Sequence, residues 1–337
     1  SASVITGGAY EPKLAEDHQV RVHWLRHLRR KPAPFRDALA VFHAYQLIRE
    51  EKPTMVVFGT PKISLLGMFA ARMARVQNRA YIIRGSLVSS SHWLGKPWLW
   101  LVEALTCILA TRVIAVSFSL RQEVVHSRII APGRCQLVGE GSSHGVNLTR
   151  FNSVRTHTES PCNIGFVGRL SKEKGLETLI KAFRIIQNDF PSSKLYLVGR
   201  DDGFLPELMR LVGGNSGVVF RQEAQHGVEL YEGFDVLCLP SHREGFPNVV
   251  LEAGALGIPV VASDVTGSRD AVVSGITGML VAPANPQKLA NEVHRLMINP
   301  SLRQRLGENA RDRVEKMFNE PDVTNKYYAE LTQGFEA

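Results

Sequence analysis

The sequence predicts an α/β protein with two Rossmann-like domains, each built on a parallel sheet with helices on both faces. Its 337 residues exceed what one ordinary core accommodates and suit two domains. Apolar segments of strand length alternate with helix-length segments, which is typical of β-α-β units. A polar stretch at 147–161 interrupts the alternation before it restarts, and we interpret it as the linker.

In the first half, short apolar segments are predicted strands and longer segments are predicted helices. The strands are 3–6, 20–25, 55–59, 80–85, 112–117 and 136–141. The helices are 37–50, 63–76 and 97–110. Elements that alternate in this way favour a parallel sheet covered on both faces.

The second half repeats the pattern. The predicted strands are 163–168, 194–199, 218–220, 235–239 and 260–263. One helix begins at Leu176, and the others cover 228–234, 248–256, 287–298, 302–316 and 322–332. Two such domains would place a ligand cleft between the carboxyl ends of both sheets.

Composition excludes several classes of protein. The net charge of +8 permits nucleic acid, anionic lipid or phosphorylated ligands, but no aromatic-basic motif predicts a nucleic-acid partner. Cys107, Cys135, Cys162 and Cys238 are isolated, which argues against a disulfide framework or metal site and fits a reducing cytosol. No signal peptide is predicted at the start of the chain. The most apolar region, 97–117, includes Glu103 and Arg112, so no transmembrane span is predicted.

The stretch 240–261, PSHREGFPNVVLEAGALGIPVV, predicts an anion site beside two carboxylates. Pro247 suits the start of a short helix, and Gly257 suits its end. The N–H groups at such a helix start attract phosphate, whereas Glu244 and Glu252 can accept hydrogen bonds from hydroxyls. The combination indicates a nucleotide-sugar, although either carboxylate alone could be a solvated surface group.

A second loop, GRLSKEKG at 168–175, follows a predicted strand and opens a helix. Arg169 offers a planar fork of donors and Lys174 a point charge, and both suit a diphosphate. Solvated surface charge is the alternative. Their position at the carboxyl end of a strand favours the functional interpretation.

The segment EGFPNVVLEAGALGIPVVAS, with seven residues between its two Glu, resembles the signature of family 4 retaining glycosyltransferases of the GT-B fold. Residues 165–184 strengthen the resemblance. Residues 58–76, Arg84-Gly85 and 139–151 resemble the branch that makes capsular, exopolysaccharide or O-antigen repeat units. It implies an acceptor-binding domain at 1–150, a nucleotide-sugar-binding domain at 151–315, and a C-terminal helix at 316–337 that crosses back to the first domain.

The resemblance also implies roles for individual residues. Glu244 would contact the donor sugar and Glu252 the ribose, while Arg169 and Lys174 would bind the diphosphate; Glu244, Arg169 and Lys174 are the predicted catalytic residues. The predicted donor-binding set is Gly168, Arg169, Lys174, Glu244, Gly245, Phe246, Pro247, Asn248, Val249 and Glu252. No metal and no cofactor are expected.

Other positions are assigned to the acceptor side or to structure. Many relatives carry His-Gly where this chain has Arg84-Gly85, so Arg84 is predicted either to bind acceptor or donor phosphate or to form a structural ion pair. His144 and Asn147 are interpreted as turn formers. His92 is interpreted as structural.

A membrane-facing patch is one interpretation of Trp93, Trp98 and Trp100 with Lys96; core packing of the aromatic rings is the other. Arg26, Arg29, Arg30 and Lys31 form a predicted basic loop in the same domain. Such clusters attract anionic lipid, which favours peripheral association with the inner face of the membrane.

The predicted function is a retaining transfer of a hexose-type sugar from a UDP-sugar to a polyprenyl-diphosphate-linked glycan in bacterial surface polysaccharide biosynthesis, in the cytoplasm.

One departure from the family pattern is expected to affect this function. Relatives have a strand, a Gly-rich loop and a helix before the strand at 3–6, so this chain is either truncated or its first sheet is built differently. The alternative is therefore a nucleotide-sugar-binding protein or scaffold without turnover. A dehydrogenase is disfavoured, because no Gly-x-Gly-x-x-Gly follows the opening strand.

Overall fold

The computed structural model describes residues 3–6, 21–24, 33–85, 96–152, 163–221 and 227–334. The chain folds into two compact units. The first comprises Ser1–Ala115 and Val124–Gln136, and the second comprises Val116–Glu123 and Leu137–Ala337. The domain limits inferred from the sequence, 1–150, 151–315 and 316–337, stay a prediction.

The described part of the first unit contains two separate sheets. Strands β1 (Ser3–Thr6) and β2 (Arg21–Trp24) pair in parallel as a sheet of their own. The larger sheet has the order β3-β4-β5-β6, formed by Met55–Phe58, Asn78–Ile83, Arg112–Ala115 and Cys135–Leu137. Its first three strands are parallel, as the alternation predicts, but 3–6 and 20–25 do not join it.

Helices follow the strands as expected for β-α-β connections. They are α1 (Pro34–Glu51), α2 (Pro61–Met73), α3 (Lys96–Leu109) and α4 (Phe118–His126). Helix α2 packs against both α1 and α3. The last four residues of β4, from Ala80 to Ile83, are all buried, which explains why this strand is a continuous apolar run rather than an alternating one.

The second unit is built on one six-stranded sheet, whose paired strands are all parallel. The strands are β7 (Ile164–Val167), β8 (Leu195–Val198), β9 (Val218–Arg221), β10 (Val236–Leu239), β11 (Val260–Ser263) and β12 (Gly278–Val281). Their spatial order is β12-β11-β10-β7-β8-β9. The chain winds outward in one direction from β7 and in the other direction from β10, so the switch point lies between these two strands.

Helices complete the second unit. They are α5 (Leu176–Asp189), α6 (Leu205–Val212), α7 (Asn248–Ala255), α8 (Ser268–Ala271), α9 (Pro286–Met297), α10 (Pro300–Met317) and α11 (Glu320–Thr332). The predicted apolar face of α5 is buried in the core. A side chain at Gly165 would meet the ring of Phe234, so the central strand packs too closely there for any other residue.

Some elements differ from the sequence prediction. Helices α4, α6 and α8 were not predicted, and the helix predicted at 228–234 is only a 3₁₀ turn, Val228–Tyr231. Helix α4 follows β5 after only two residues, so no loop sequence separates the strand from the helix. Ser117 caps the start of the helix, where its Oγ accepts from Leu120 N at 3.3 Å. Gly227 and Gly233 flank the 3₁₀ turn and keep it short.

Several predictions fall outside the described residues: the basic loop 26–31, His92, Trp93, Cys162 and most of the linker. In the part of the chain that the structure describes, no helix combines the length and apolar character needed to cross a bilayer.

Candidate functional site

The switch point of the second unit brings the two predicted ligand loops together. The loop 168–175 leaves the carboxyl end of β7, and the loop 240–247 leaves the carboxyl end of β10, its neighbour. In open α/β sheets the crevice at such a point is where ligands bind. The topology therefore points to the same residues as the sequence motifs.

The two loops are locked to each other by backbone contacts. Gly175 has φ +66°, and a Cβ there would lie closer than 3.0 Å to the carbonyl oxygen of Pro240. His242 N donates to Glu173 O at 2.9 Å, and Arg243 pairs with the Glu173 carboxylate at 2.8 Å. The loops consequently form one rigid support for the side chains between them.

Lys174 and Glu244, one from each loop, form an ion pair. The Nζ of Lys174 donates to Oε1 of Glu244 at 2.6 Å, and both side chains are largely buried. A salt bridge with this burial is sensitive to the loss of either partner, because the remaining charge is left without compensation. Both residues were predicted from the sequence to bind the donor. The structure shows in addition that they form an ion pair with each other.

Arg169 takes a different direction. Its Nη1 donates to Asp202 Oδ2 at 2.7 Å, and both side chains are partly exposed. Gly168 directly follows β7, and its N–H donates to Val198 O at 3.0 Å. Arg169 thus lies at the carboxyl end of the sheet, paired with an acid from the loop after β8.

Helix α7 begins and ends as the sequence predicts. Pro247 is the residue before its first turn, and the N–H of Val250 donates to Pro247 O at 3.1 Å. Gly257 has φ +72°, and Ile258 N closes the end by donating to Ala253 O at 2.9 Å. Asn248 and Val249, both half-buried, occupy the first turn.

The turn at 139–147 packs on the first residue of α7. Asn248 Nδ2 lies 2.6 Å from His144 Nε2, and Ser142 Oγ donates to Asn248 Oδ1 at 3.2 Å. Tyr327, on α11, donates its hydroxyl to Ser142 O at 2.8 Å. His144 is therefore more than the turn former that the sequence suggested, because its ring orients the Asn248 amide.

A third loop supports Gly245 and Phe246. A Cβ at Gly267 would lie closer than 3.0 Å to the carbonyl oxygens of Gly245 and Glu244, so the two backbones touch. The Phe246 ring packs against Phe318, with ring centroids 5.5 Å apart. These contacts fix the loop that carries Glu244.

Ser119 and Asp270 hold this third loop in place. Ser119 N lies 3.2 Å from both carboxylate oxygens of Asp270, and its hydroxyl also donates to that carboxylate. Gly267 N in turn donates to Ser119 Oγ at 2.8 Å. No sequence pattern predicts this contact, because Ser119 and Asp270 are far apart in the chain.

Glu252 is held by a buried tyrosine that the sequence did not single out. Tyr231, in the 3₁₀ turn, donates its hydroxyl to Glu252 Oε2 at 2.5 Å. Burial and the adjacent Glu252 raise the pKa of Tyr231 well above its ordinary value, so the hydroxyl keeps its proton. The sequence offered one indirect clue to this contact. Tyr231 lies in the predicted helix 228–234, which leads into the strand before Glu244.

We expect Tyr231→Phe to lower the free energy of unfolding by about 1.5–3 kcal/mol, the usual range for a hydrogen bond to a charged group. Denaturant unfolding measures this loss. Tyr328→Phe is the matched control, because Tyr328 is exposed on α11 and its removal should leave stability unchanged. Unaltered stability in Tyr231→Phe would contradict a structural role for the Tyr231–Glu252 contact.

The predicted acceptor-side residues lie in the first unit. Arg84 and Gly85 follow β4, and Arg84 is exposed. A Cβ at Gly59 would lie 3.3 Å from Arg84 Nε, so the Arg84 side chain rests over the end of β3. Among the described residues no group of three or more His, Cys, Asp and Glu side chains could hold a metal ion.

Comparison with known families matches both halves of the chain. The family model described as "Glycosyl transferases group 1" matches residues 151–313, and the model described as "Glycosyltransferase Family 4" matches residues 2–143. The chain is 32% identical over 302 residues to the capsular polysaccharide biosynthesis glycosyltransferase CapM of Staphylococcus aureus. That similarity covers 86% of this chain and 80% of CapM.

Another relative matches over less of its own length, and a solved structure matches over more. A D-inositol 3-phosphate glycosyltransferase of Streptomyces bingchenggensis is 30% identical over 215 residues, which is 57% of this chain and 47% of that protein. The crystal structure of Anabaena Alr3699/HepE in complex with UDP-glucose is similar with a TM-score of 0.80 and 20% identity. It covers 97% of this chain and 91% of HepE.

The two α/β units and the similarity to HepE define the class: the chain has the GT-B fold of glycosyltransferases. The similarity to CapM identifies the family more narrowly. The chain belongs to the family 4 glycosyltransferases.

Proposed function

We propose that this glycosyltransferase transfers a hexose-type sugar, with retention and without a metal, from a UDP-sugar to a lipid-linked glycan in surface polysaccharide biosynthesis. The observation that carries the proposal is the largely buried Lys174–Glu244 pair, which joins the loops after β7 and β10. A cation for a diphosphate and a carboxylate for a sugar thus stand side by side at the switch point.

Lys174 and Arg169 are the proposed partners of the donor diphosphate. Departure of a nucleoside diphosphate needs positive charge where the negative charge develops. The ammonium of Lys174 has three donors, so it can keep its bond to Glu244 and still bind a phosphate oxygen. The first turn of α7, at Asn248 and Val249, would add backbone N–H groups and the positive end of the helix dipole.

Glu244 and Glu252 are the proposed partners of the sugar and the ribose. Glu244 lies in the loop before α7, close to Lys174, and Glu252 lies in the second turn of the helix. Tyr231 already occupies Oε2 of Glu252 and fixes the direction of the carboxylate. A hydroxyl of the ribose would then meet a preorganised acceptor.

The choice of donor and acceptor rests on relatives. HepE structures are described as complexes with UDP and with UDP-glucose, and this supports a UDP-sugar. CapM is described as a capsular polysaccharide biosynthesis enzyme, which supports a lipid-linked glycan acceptor, with Arg84 and Gly85 on the acceptor side. Isolated cysteines fit a reducing compartment, so we place the reaction in the cytoplasm at the inner face of the membrane.

Arg169→Ala and Lys174→Ala are expected to lower the rate of sugar transfer, each by about 10²–10³-fold if they stabilise the leaving diphosphate as oxyanion donors do. The measurement is UDP release with a pooled lipid-linked acceptor. Arg243→Ala is the matched control, because Arg243 joins the same two loops through an exposed ion pair. Wild-type rates in Arg169→Ala and Lys174→Ala would contradict the proposed role of these two residues in binding the diphosphate.

Two further measurements separate the proposed reaction from its alternative. NMR of the product anomer tests retention. Calorimetry with UDP, paired with the transfer assay, tests turnover. UDP binding without transfer to any acceptor would favour a nucleotide-sugar-binding protein or scaffold.

A further inference from the structure

Helix α3 exposes a purely apolar face. Trp98, Leu101, Leu105 and Ile108 are all exposed, and their spacing of three, four and three residues places them on one side of the helix. From Trp98 to Leu109 no other residue is exposed. The outer surface of three helical turns therefore offers water no polar side chain.

Between Trp98 and Leu109, the polar residues Glu103 and Thr106 lie on the inner side of α3. Glu103 is 1% exposed, and the buried Thr106 donates its hydroxyl to Val102 O at 2.7 Å. Burial, with Glu103 nearby, raises the pKa of Cys107 to about 12. A helix at a water-facing surface normally has the opposite distribution. Its outer face is consequently suited to an apolar surrounding rather than to water.

Positive charge is concentrated in the unit that carries α3. Residues 1–115 and 124–136 contain 18 Lys and Arg and seven Asp and Glu, a net charge of +11. The remaining residues contain 22 Lys and Arg and 25 Asp and Glu, a net charge of −3. The overall charge of +8 therefore hides a strongly basic unit.

Cations also stand beside the apolar helix itself. At its C-terminal end Arg79 Nε donates to Leu109 O at 2.8 Å, and Arg134 Nη2 donates to Ala110 O at 3.0 Å. Along its side Trp100 Nε1 donates to Ser127 O at 2.7 Å, next to the exposed Arg128. An apolar strip with cations at its border matches the interface of an anionic bilayer.

We propose that the face of α3 formed by Trp98, Leu101, Leu105 and Ile108 docks this chain on an anionic bilayer, an inference that rests on the proposed lipid-linked acceptor. The helix has 14 residues, so it is about 21 Å long and lies in the plane of the interface. Trp98 suits the headgroup level, and the aliphatic side chains enter the acyl boundary.

The sequence suggested a patch of Trp93, Trp98 and Trp100. The partly buried Trp100 turns its N–H to Ser127 instead, and Trp93 lies outside the described residues. Of the two tryptophans of that patch whose side chains the structure describes, Trp98 lies on the exposed face. The aliphatic part of the face, which the aromatic pattern did not reveal, supplies most of the apolar contact.

A second copy of the chain fits this face less well than a bilayer. Two such units would bring net charges of +11 together, which opposes association. A strip about 21 Å long and about 10 Å wide covers about 200 Å², against about 800 Å² per partner in a stable interface. A bilayer requires no minimum area of this kind, and its negative charge favours the unit.

The test is co-sedimentation of the full chain with vesicles of phosphatidylglycerol and phosphatidylcholine. Ile108→Gln and Leu101→Gln are each expected to weaken binding about tenfold, since each removes a large apolar side chain from the bilayer. The matched control is Ile298→Gln, because Ile298 in the second unit is 61% exposed and Ile108 is 65% exposed. Vesicles of phosphatidylcholine alone should bind the wild type more weakly.

The outcomes are separable. Equal binding by wild type and Ile108→Gln, or equal losses in Ile108→Gln and Ile298→Gln, would overturn the proposal. A concentration-dependent dimer in gel filtration that Ile108→Gln abolishes would overturn it in favour of a second copy. UDP-sugar hydrolysis in solution should be unchanged in Ile108→Gln. If neither the wild type nor any variant hydrolysed a UDP-sugar, this would count against the proposed reaction, whereas the vesicle measurement would still decide whether α3 binds the bilayer.

Discussion

Replacing Glu244 with Gln is expected to reduce kcat for sugar transfer much more than it changes the donor KM. Gln keeps the size of the side chain but removes the charge that pairs with Lys174 and would accept sugar hydroxyls. An interaction that strengthens as charge develops at the anomeric carbon is lost chiefly from the transition state. Steady-state kinetics with varied donor measure the effect, for which we expect a loss of about 10²-fold or more in kcat.

Glu252→Gln is the informative partner of this variant. It should mainly raise the donor KM, because Glu252 is expected to hold the ribose in the ground state and the transition state alike. The expected loss of donor binding free energy is about 1–3 kcal/mol. Glu173→Gln serves as the control, since Glu173 pairs with Arg243 at the exposed edge of the same loops. A change in KM alone for Glu244→Gln, or unchanged UDP affinity for Glu252→Gln, would refute this division. Unfolding of both variants would instead indicate a structural pair.

The second large effect is expected at Gly175. Its φ of +66° disfavours any side chain, and a Cβ would collide with the Pro240 carbonyl, which is rigid backbone. Gly175→Ala must therefore push apart the loops that carry Lys174 and Glu244. We expect a loss of stability of several kcal/mol, since overpacking and a left-handed backbone add their costs.

Gly214→Ala isolates the contribution of the backbone alone. Gly214 has φ +75°, and a Cβ there would meet nothing within 4 Å. Its cost should be limited to about 1–2 kcal/mol of conformational strain. Urea unfolding and UDP calorimetry on both variants give the comparison. Similar stabilities for Gly175→Ala and Gly214→Ala would mean that the loops can separate without penalty.

The sequence predicted the elements whose signal is local. Strands β7 to β11 of the second unit and the limits of α7 follow from apolar runs, Pro247 and Gly257, because each depends on neighbouring residues only; the edge strand β12 was not predicted. The parallel sheets follow from the alternation of strands and helices. The loops after β7 and β10 were also recognised, since glycines and charged residues mark them in the sequence.

Contacts between distant residues could not be predicted in this way. Nothing local to Lys174 says that its partner is Glu244, and nothing near Glu252 says that Tyr231 will reach it. Helix α4 escaped prediction because it follows its strand almost directly. The exposed face of α3 escaped as well, because an apolar helix has the same composition whether its outer side is covered or bare.

The contact of Ser119 with Gly267 and Asp270 limits how the protein can be divided. Because Val116–Glu123 belongs to the second unit, the chain passes between the units three times rather than once. A fragment that starts near residue 150 would lose the Ser119 hydroxyl, which supports the loop touching Glu244 and Gly245. A chimera of two relatives that is joined at a single position near residue 150 would therefore take the loop at Gly267 from one protein and the Ser119 that supports it from the other.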